Sequence, residues 1–159
     1  MGAAPRKTFQ PLKSSLMLCL MFLSCGMGTY SDPAASPLSI EGLRKACGLP
    51  APCGAAIDWE GRQVAVEGQV DGVNVFDKRR FPNLPYEKFK LHDTRGNSLE
   101  VWAVAADNSS IFDKLARRRS DHVVVRGRLA AVKAPVMGDC QLGVKLLIDD
   151  ADQIELPTS

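Results

Sequence analysis

The chain lacks most of the linear signals by which an enzyme or a membrane-spanning protein can be read. Only two histidines occur, His92 and His122, far apart and with no nucleophile motif beside either. No G-x-S-x-G, H-E-x-x-H or P-loop pattern is present, so an active site would need a constellation that only the fold could assemble. Asp149, Asp150 and Asp152 cluster without the glycine turn and distal glutamate of a calcium loop, and read as a solvated strand end. The expectation is a non-enzymatic protein with no catalytic residue, metal or cofactor. Charge of one sign is also lacking. The first 24 residues hold three of the 20 Lys and Arg and none of the 18 Asp and Glu, so the remainder carries −1. Any site for a polyanion must therefore be a local patch. No repeat is visible, and the apolar run from Leu16 to Leu23, 8 residues long, is far short of the roughly 20 residues of a membrane span.

What is present begins with an address. Arg6, Lys7 and Lys13 precede an apolar run from Leu16 to Leu23, which ends in Ser24-Cys25-Gly26. A basic segment, a short apolar segment and a small residue make an export signal. Met21, Phe22, Leu23 and Ser24 before Cys25 resemble the bacterial lipoprotein signal, the lipobox, with Phe22 where that pattern prefers Leu. The resemblance implies cleavage before Cys25 and lipid on Cys25, hence a lipid-anchored protein facing the periplasm, with the membrane as its first partner. The competing readings are a secretory signal cut near Gly28 and an uncleaved anchor. Cleavage before Cys25 divides the chain into a signal at 1–24, a Gly/Ser/Pro/Ala tether at 25–36, a helical leader at 37–61 and one domain at 62–156.

Of five cysteines, Cys19 leaves with the signal and Cys25 carries lipid. In an oxidising envelope Cys47 and Cys53, within C-G-L-P-A-P-C, are the expected disulfide, with Cys140 left over. A metal site with His92 or His122 and a redox-active pair are the alternatives.

Within the leader, Ser36-Pro37 predicts a capped helix from Pro37 to about Cys47. From Arg62 the apolar period becomes two. Val64, Val66, Gly68 and Val70 predict a strand, Phe89 and Leu91 a second ending near His92, and Ser98 to Ala105 a third after an Arg95-Gly96-Asn97 turn. Asp107-Asn108-Ser109 caps a helix with Ile111, Phe112 and Leu115 on one face, running from about Ser109 to Arg118. Strands from His122 to Val132 and Leu142 to Ile148 follow. Val66, Leu91, Val101, Leu115, Val125 and Leu146 are expected to be buried together.

Three strands, a helix and two strands are the order of the OB-fold, a five-stranded, partly open Greek-key barrel. The segment from Val64 to Ile148 resembles OB-fold proteins, among them the bacterial envelope and tRNA-anticodon-binding-like ones. The fold class expected is mainly β, with the helix between strands three and four. The resemblance implies binding on strands two and three and on two flanking loops. The first loop holds Lys78, Arg79 and Arg80 beside Phe76, Phe81 and Tyr86, the cations and rings that an oligonucleotide, glycan or other anionic ligand would use. Lys90, Glu100, Trp102 and the loop from Lys133 to Cys140 complete the expected face, with Trp102 sharing the wetter side of its strand with Glu100 and Val104. The competing readings are that the rings plug the barrel mouth, and that the protein is an assembly factor binding another envelope protein.

Overall fold

The structure, a computed structural model, describes residues 36–117, 121–136 and 139–156. The expected signal at 1–24, the lipid-bearing Cys25, the tether up to residue 35, Arg118 and Arg119 lie outside the described residues. In chain order the elements are β1 (Leu38–Ser39), α1 (Ile40–Ala46), β2 (Ala51–Pro52), β3 (Gln63–Phe76), β4 (Glu87–His92) and β5 (Ser98–Ala103). Then come α2 (Ser109–Ala116), β6 (His122–Val136), β7 (Asp139–Ile148), one 3-10 turn (Ala151–Gln153) and β8 (Ile154–Glu155). Among the described residues no helix is long and apolar enough to cross a membrane.

Five strands form a closed ring. β3 pairs antiparallel with β4, β4 with β5, β7 with β6, and β6 with β3, while β5 runs parallel to β7. β3 and β6 are long because each exchanges neighbours along its length. The first half of β3 lies against β6 (Val66↔Val125) and its second half against β4 (Val70↔Leu91). The strands bend where that exchange happens, and glycine stands at each bend. A Cβ on Gly127 would lie 2.9 Å from the Leu147 carbonyl oxygen, and one on Gly68 would lie 3.1 Å from the Leu91 Cβ. Only a residue without a side chain admits that approach.

The core follows from alternation along the strands. Val66, Leu91, Val101, Val125 and Leu146 are fully buried, and Leu115 of α2 joins them, so the six residues expected to pack together do so in one cluster. Each fully buried aliphatic side chain of this kind contributes about 1.5–3 kcal/mol. α2 adds Ile111 and Phe112, and α1 closes another side with Ile40 and Leu43.

β3 runs to Phe76 through an irregularity between Val70 and Val75, where the Asp71 carboxylate accepts from the Val73 and Asn74 N–H groups. Three expectations are corrected. α1 starts at Ile40, with the Ser39 Oγ accepting from the Gly42 N–H at 3.0 Å. Ser36 does not cap it, because Leu38 and Ser39 are held extended by pairing with Val66 and Glu67. The disulfide joins Cys53 to Cys140, with Cα atoms 5.4 Å apart, and Cys47 is a free, buried thiol whose pKa burial pushes up. β2 decides that pairing by laying Ala51 and Pro52 against Leu142 and Gln141, which carries Cys53 to Cys140. Finally, Lys133 to Cys140 is not an open loop, because the β6–β7 ladder runs on to Val136↔Asp139.

Candidate functional site

The β3–β4 loop is organised by a single carboxylate. Asp77 is 6% exposed, and its oxygens accept from the Arg79 N–H, Nε and Nη2 at 2.7–3.1 Å. Its carbonyl accepts from the N–H groups of Arg80 and Phe81, closing the turn. The bonds from Arg79 hold the Asp77 carboxyl below the usual carboxylate range, although burial works against them, and the same bonds raise the Arg79 guanidinium. Arg79 Nη1 also reaches Asp113 of α2 at 2.9 Å. Glu87 braces the other end, its carboxylate accepting from the Lys78 N–H at 3.0 Å and from Asn108 Nδ2 at 2.7 Å. Arg79 is thus a brace between loop and helix, and Lys78 and Arg80 are the loop's outward cations.

From this loop a strip of rings runs onto the sheet. Phe81, 43% exposed, lies 6.1 Å from Phe76, Phe76 lies 6.4 Å from Tyr86, and Tyr86 lies 5.3 Å from Trp102, measured between centroids. Strand alternation places the rest. Phe89, Val101 and Leu146 point into the core, so Lys88, Lys90, Glu100, Trp102, Lys145 and Leu147 stand on the outer face. Register then sets Lys88 opposite Trp102, Lys90 opposite Glu100, and Glu100 opposite Lys145.

The face is internally balanced. Lys88 Nζ lies 4.8 Å from the Tyr86 centroid, 5.6 Å from Trp102 and 5.7 Å from Phe76, and bonds Glu100 Oε1 at 2.7 Å. Trp102 Nε1 donates to the other Glu100 oxygen at 2.9 Å. Burial would raise the Glu100 carboxyl, but the bonds from Lys88 and Trp102 outweigh it and hold the group below its ordinary range. Lys145 Nζ sits 3.4 Å above the Trp102 ring. A cation on an exposed ring is worth about 0.5–1 kcal/mol, whereas a base stacked on an aromatic side chain is worth about 1–3 kcal/mol. A base stacked on Trp102 would therefore outcompete Lys145 for the ring.

The structure brings Phe81, Tyr86, Lys90 and Trp102 onto one continuous surface with Arg80 at its end, 6.0 Å from the Phe81 ring. It turns Arg79 toward Asp77 and Asp113 instead. Sequence reasoning missed Lys88 and Lys145. Lys88 was within reach, since it alternates with buried Phe89 and shares a face with Lys90. Lys145 becomes a neighbour of Trp102 only through the parallel β5–β7 pairing, which nothing local in the chain announces. Among the described residues no three His, Cys, Asp or Glu side chains gather as a metal ion would require.

No family model and no curated protein matches this chain. It is similar in structure to a mitochondrial single-stranded DNA binding protein of S. cerevisiae, Rim1, with 16% identity over 63% of this chain and 97% of that one, at a TM-score of 0.42. A likeness of that size carries no function across.

Proposed function

We propose that this is an exported OB-fold binding protein that takes a single-stranded, anionic, ring-bearing polymer, an oligonucleotide, along the outer face of β4, β5 and β7. The observation that carries the reading is the Tyr86–Trp102 pair, 5.3 Å between centroids, with the ammonium groups of Lys88 and Lys145 set over it. Rings for stacking and cations for phosphate, interleaved on one face, are what sequence-tolerant single-strand binding needs. The fold reading is supported by the pairing scheme: the first ring strand pairs with the second and fourth, and the third runs parallel to the fifth. In OB-folds the second and third strands and the loop before them are the habitual binding face, and here those are β4, β5 and the loop built on Asp77.

The reading is association along the strip, with no chemical step assigned to it. Titration of labelled single-stranded DNA and RNA at low salt tests the reading, with a double strand and an acidic glycan beside them. Binding of single strands that weakens as salt rises, and that Trp102→Ala weakens about 5- to 100-fold, is expected. No affinity for any strand at low salt would refute it. The assembly-factor reading would then stand first, favoured by Val73 and Val104, which are 89% and 52% exposed.

Export and lipidation at Cys25 belong to the same proposal and rest on the basic segment, the apolar run and Ser24-Cys25. Membrane partitioning that Cys25→Ala abolishes is expected. Mass spectrometry finding an unmodified chain that starts elsewhere would refute the anchor.

A further inference from the structure

The face that carries the rings closes at its far end in a hollow of about 220 Å³, lined by Arg44 and Leu49 from the leader, Lys90, Ser98 and Glu100 from β4 and β5, and Leu142 from β7. Its one acid is already engaged, since both Glu100 oxygens accept from Lys88 and Trp102. Arg44 and Lys90 form no salt bridge among the described residues, and Lys90 acts on the Glu100 carboxylate through space only. Two cations and a hydroxyl thus line the hollow together with Leu49 and Leu142, a short step along β4 from Lys88.

The wall of the hollow is not part of the ring. Arg44 belongs to the last turn of α1, and the segment carrying Leu49 is fixed by the pairing of β2 with β7 and by the Cys53–Cys140 disulfide. The leader thus walls one side of the hollow, and a strand lying over Tyr86, Trp102 and Lys88 reaches that wall next. Alternate residues on a strand are about 6.6–6.8 Å apart, so one residue of the polymer spans the step from Lys88 to Lys90.

A hollow lined by two cations and walled on one side suits a terminus better than an interior. An internal phosphodiester carries one negative charge, whereas a phosphate monoester carries about −1.5 to −2 near neutrality. A guanidinium can also bind two of its oxygens at once. Resting on the function proposed above, we infer that the hollow between Arg44 and Lys90 binds the terminal phosphate of a single strand whose following bases lie on Trp102 and Tyr86.

The test uses the full-length protein and single strands of about ten nucleotides, carrying a 5′ phosphate, a 3′ phosphate or neither, with a circular strand of the same length. One end-phosphorylated strand is expected to bind about tenfold or more tightly than the unphosphorylated and circular strands, as a charge-assisted, bidentate contact implies. Arg44→Ala should erase that difference and leave the affinity for the unphosphorylated strand unchanged. Trp102→Ala should weaken all four strands alike. Equal wild-type affinity for all four strands overturns the inference while leaving the binding function standing, as does an end preference that survives Arg44→Ala. If the wild type binds no strand at all, the proposed function fails, and the inference falls with it.

Discussion

Replacing Lys145 with Gln should change affinity in opposite directions at low and high salt. Lys145 has two roles that the structure makes separable. In the free protein its ammonium lies 3.4 Å from the Trp102 centroid and competes with any incoming base. In the complex the displaced ammonium becomes a phosphate contact. Removing the first effect is favourable by about 0.5–1 kcal/mol, or about two- to fivefold in affinity. Removing the second lowers the slope of log K against log salt by about 0.7 for a single strand. With 1 M salt as the reference at which the counterion contribution vanishes, one lost contact costs about eightfold at 0.05 M. Lys145→Gln should therefore bind about two- to fourfold more weakly than wild type at 0.05 M and about two- to fivefold more tightly at 1 M, with the lines crossing at about 0.1–0.4 M. Fluorescence anisotropy of a labelled strand across that range measures both slopes, and circular dichroism confirms that the outer-face substitution leaves the fold intact. Parallel lines would show that Lys145 reaches no phosphate. A variant still weaker at 1 M would show that the ring gains nothing by losing its cation. Either result would refute the reasoning.

Two further predictions concern the frame that holds the face. Non-reducing peptide mapping should recover Cys53 linked to Cys140, with Cys47 alkylated only after unfolding; Cys140→Ser, which opens a loop spanning 87 positions, should cost about 4–5 kcal/mol by the chain-entropy account. Asp77→Ala should cost about 1–3 kcal/mol at pH 7, because it removes the acceptor of the Arg79 N–H, Nε and Nη2. The native Asp77 carboxyl is held below its unfolded value of about 3.9, so its contribution is complete above that pH and is lost as the pH falls through the folded value. The gap between wild type and variant in denaturant titrations should accordingly shrink below about pH 4, and a gap that widens on acidification would contradict the assignment.

How much of this was legible in the chain depended on whether the signal was local. Alternation along Val64, Val66 and Val70, and again along Leu142, Val144 and Leu146, identifies strands because burial of one sheet face imposes a period of two. Five of the six expected core residues follow from the same rule, and Leu115 follows from the helical spacing of Ile111, Phe112 and Leu115. Gly68 and Gly127 stood out because a glycine inside a long alternating run has no local reason to be there, and the close approach of Leu91 and Leu147 supplies one. What escaped depended on partners distant in sequence. Cys47 and Cys53 are neighbours along the chain, but two residues of β2 docking on β7 outweigh that proximity, and a two-residue strand containing Pro52 has no period to detect. Leu38 and Ser39 read as the start of a helix because their strand partner, Val66, is remote. The same limit applied at the site. The rings and basic loop were visible as composition, while the engagement of Arg79 by Asp113 and the placement of Lys145 over Trp102 are products of register.

The distribution of charge on the face bears on why a protein slightly acidic beyond its first 24 residues can still present a cationic track. Lys88, Lys90 and Lys145 share the outer face of β4, β5 and β7 with Glu100 as their central acid. Glu100 bonds Lys88 and Trp102 in the free protein, and Lys145 occupies the Trp102 ring, so the acid, the indole N–H and two of the three lysines are engaged while the site is empty. A phosphate arriving beside Lys88 competes with a carboxylate, and a base arriving on Trp102 competes with an ammonium. Each exchange replaces a partly solvated contact within the protein by a stronger one to the ligand, and each frees a group that the next residue of the ligand can use. Affinity then depends on several such exchanges occurring together along one strand, so isolated phosphate or a single nucleoside should bind this face feebly. The proposed function therefore favours polymers, and the inferred end site beside the leader would set the preference among them.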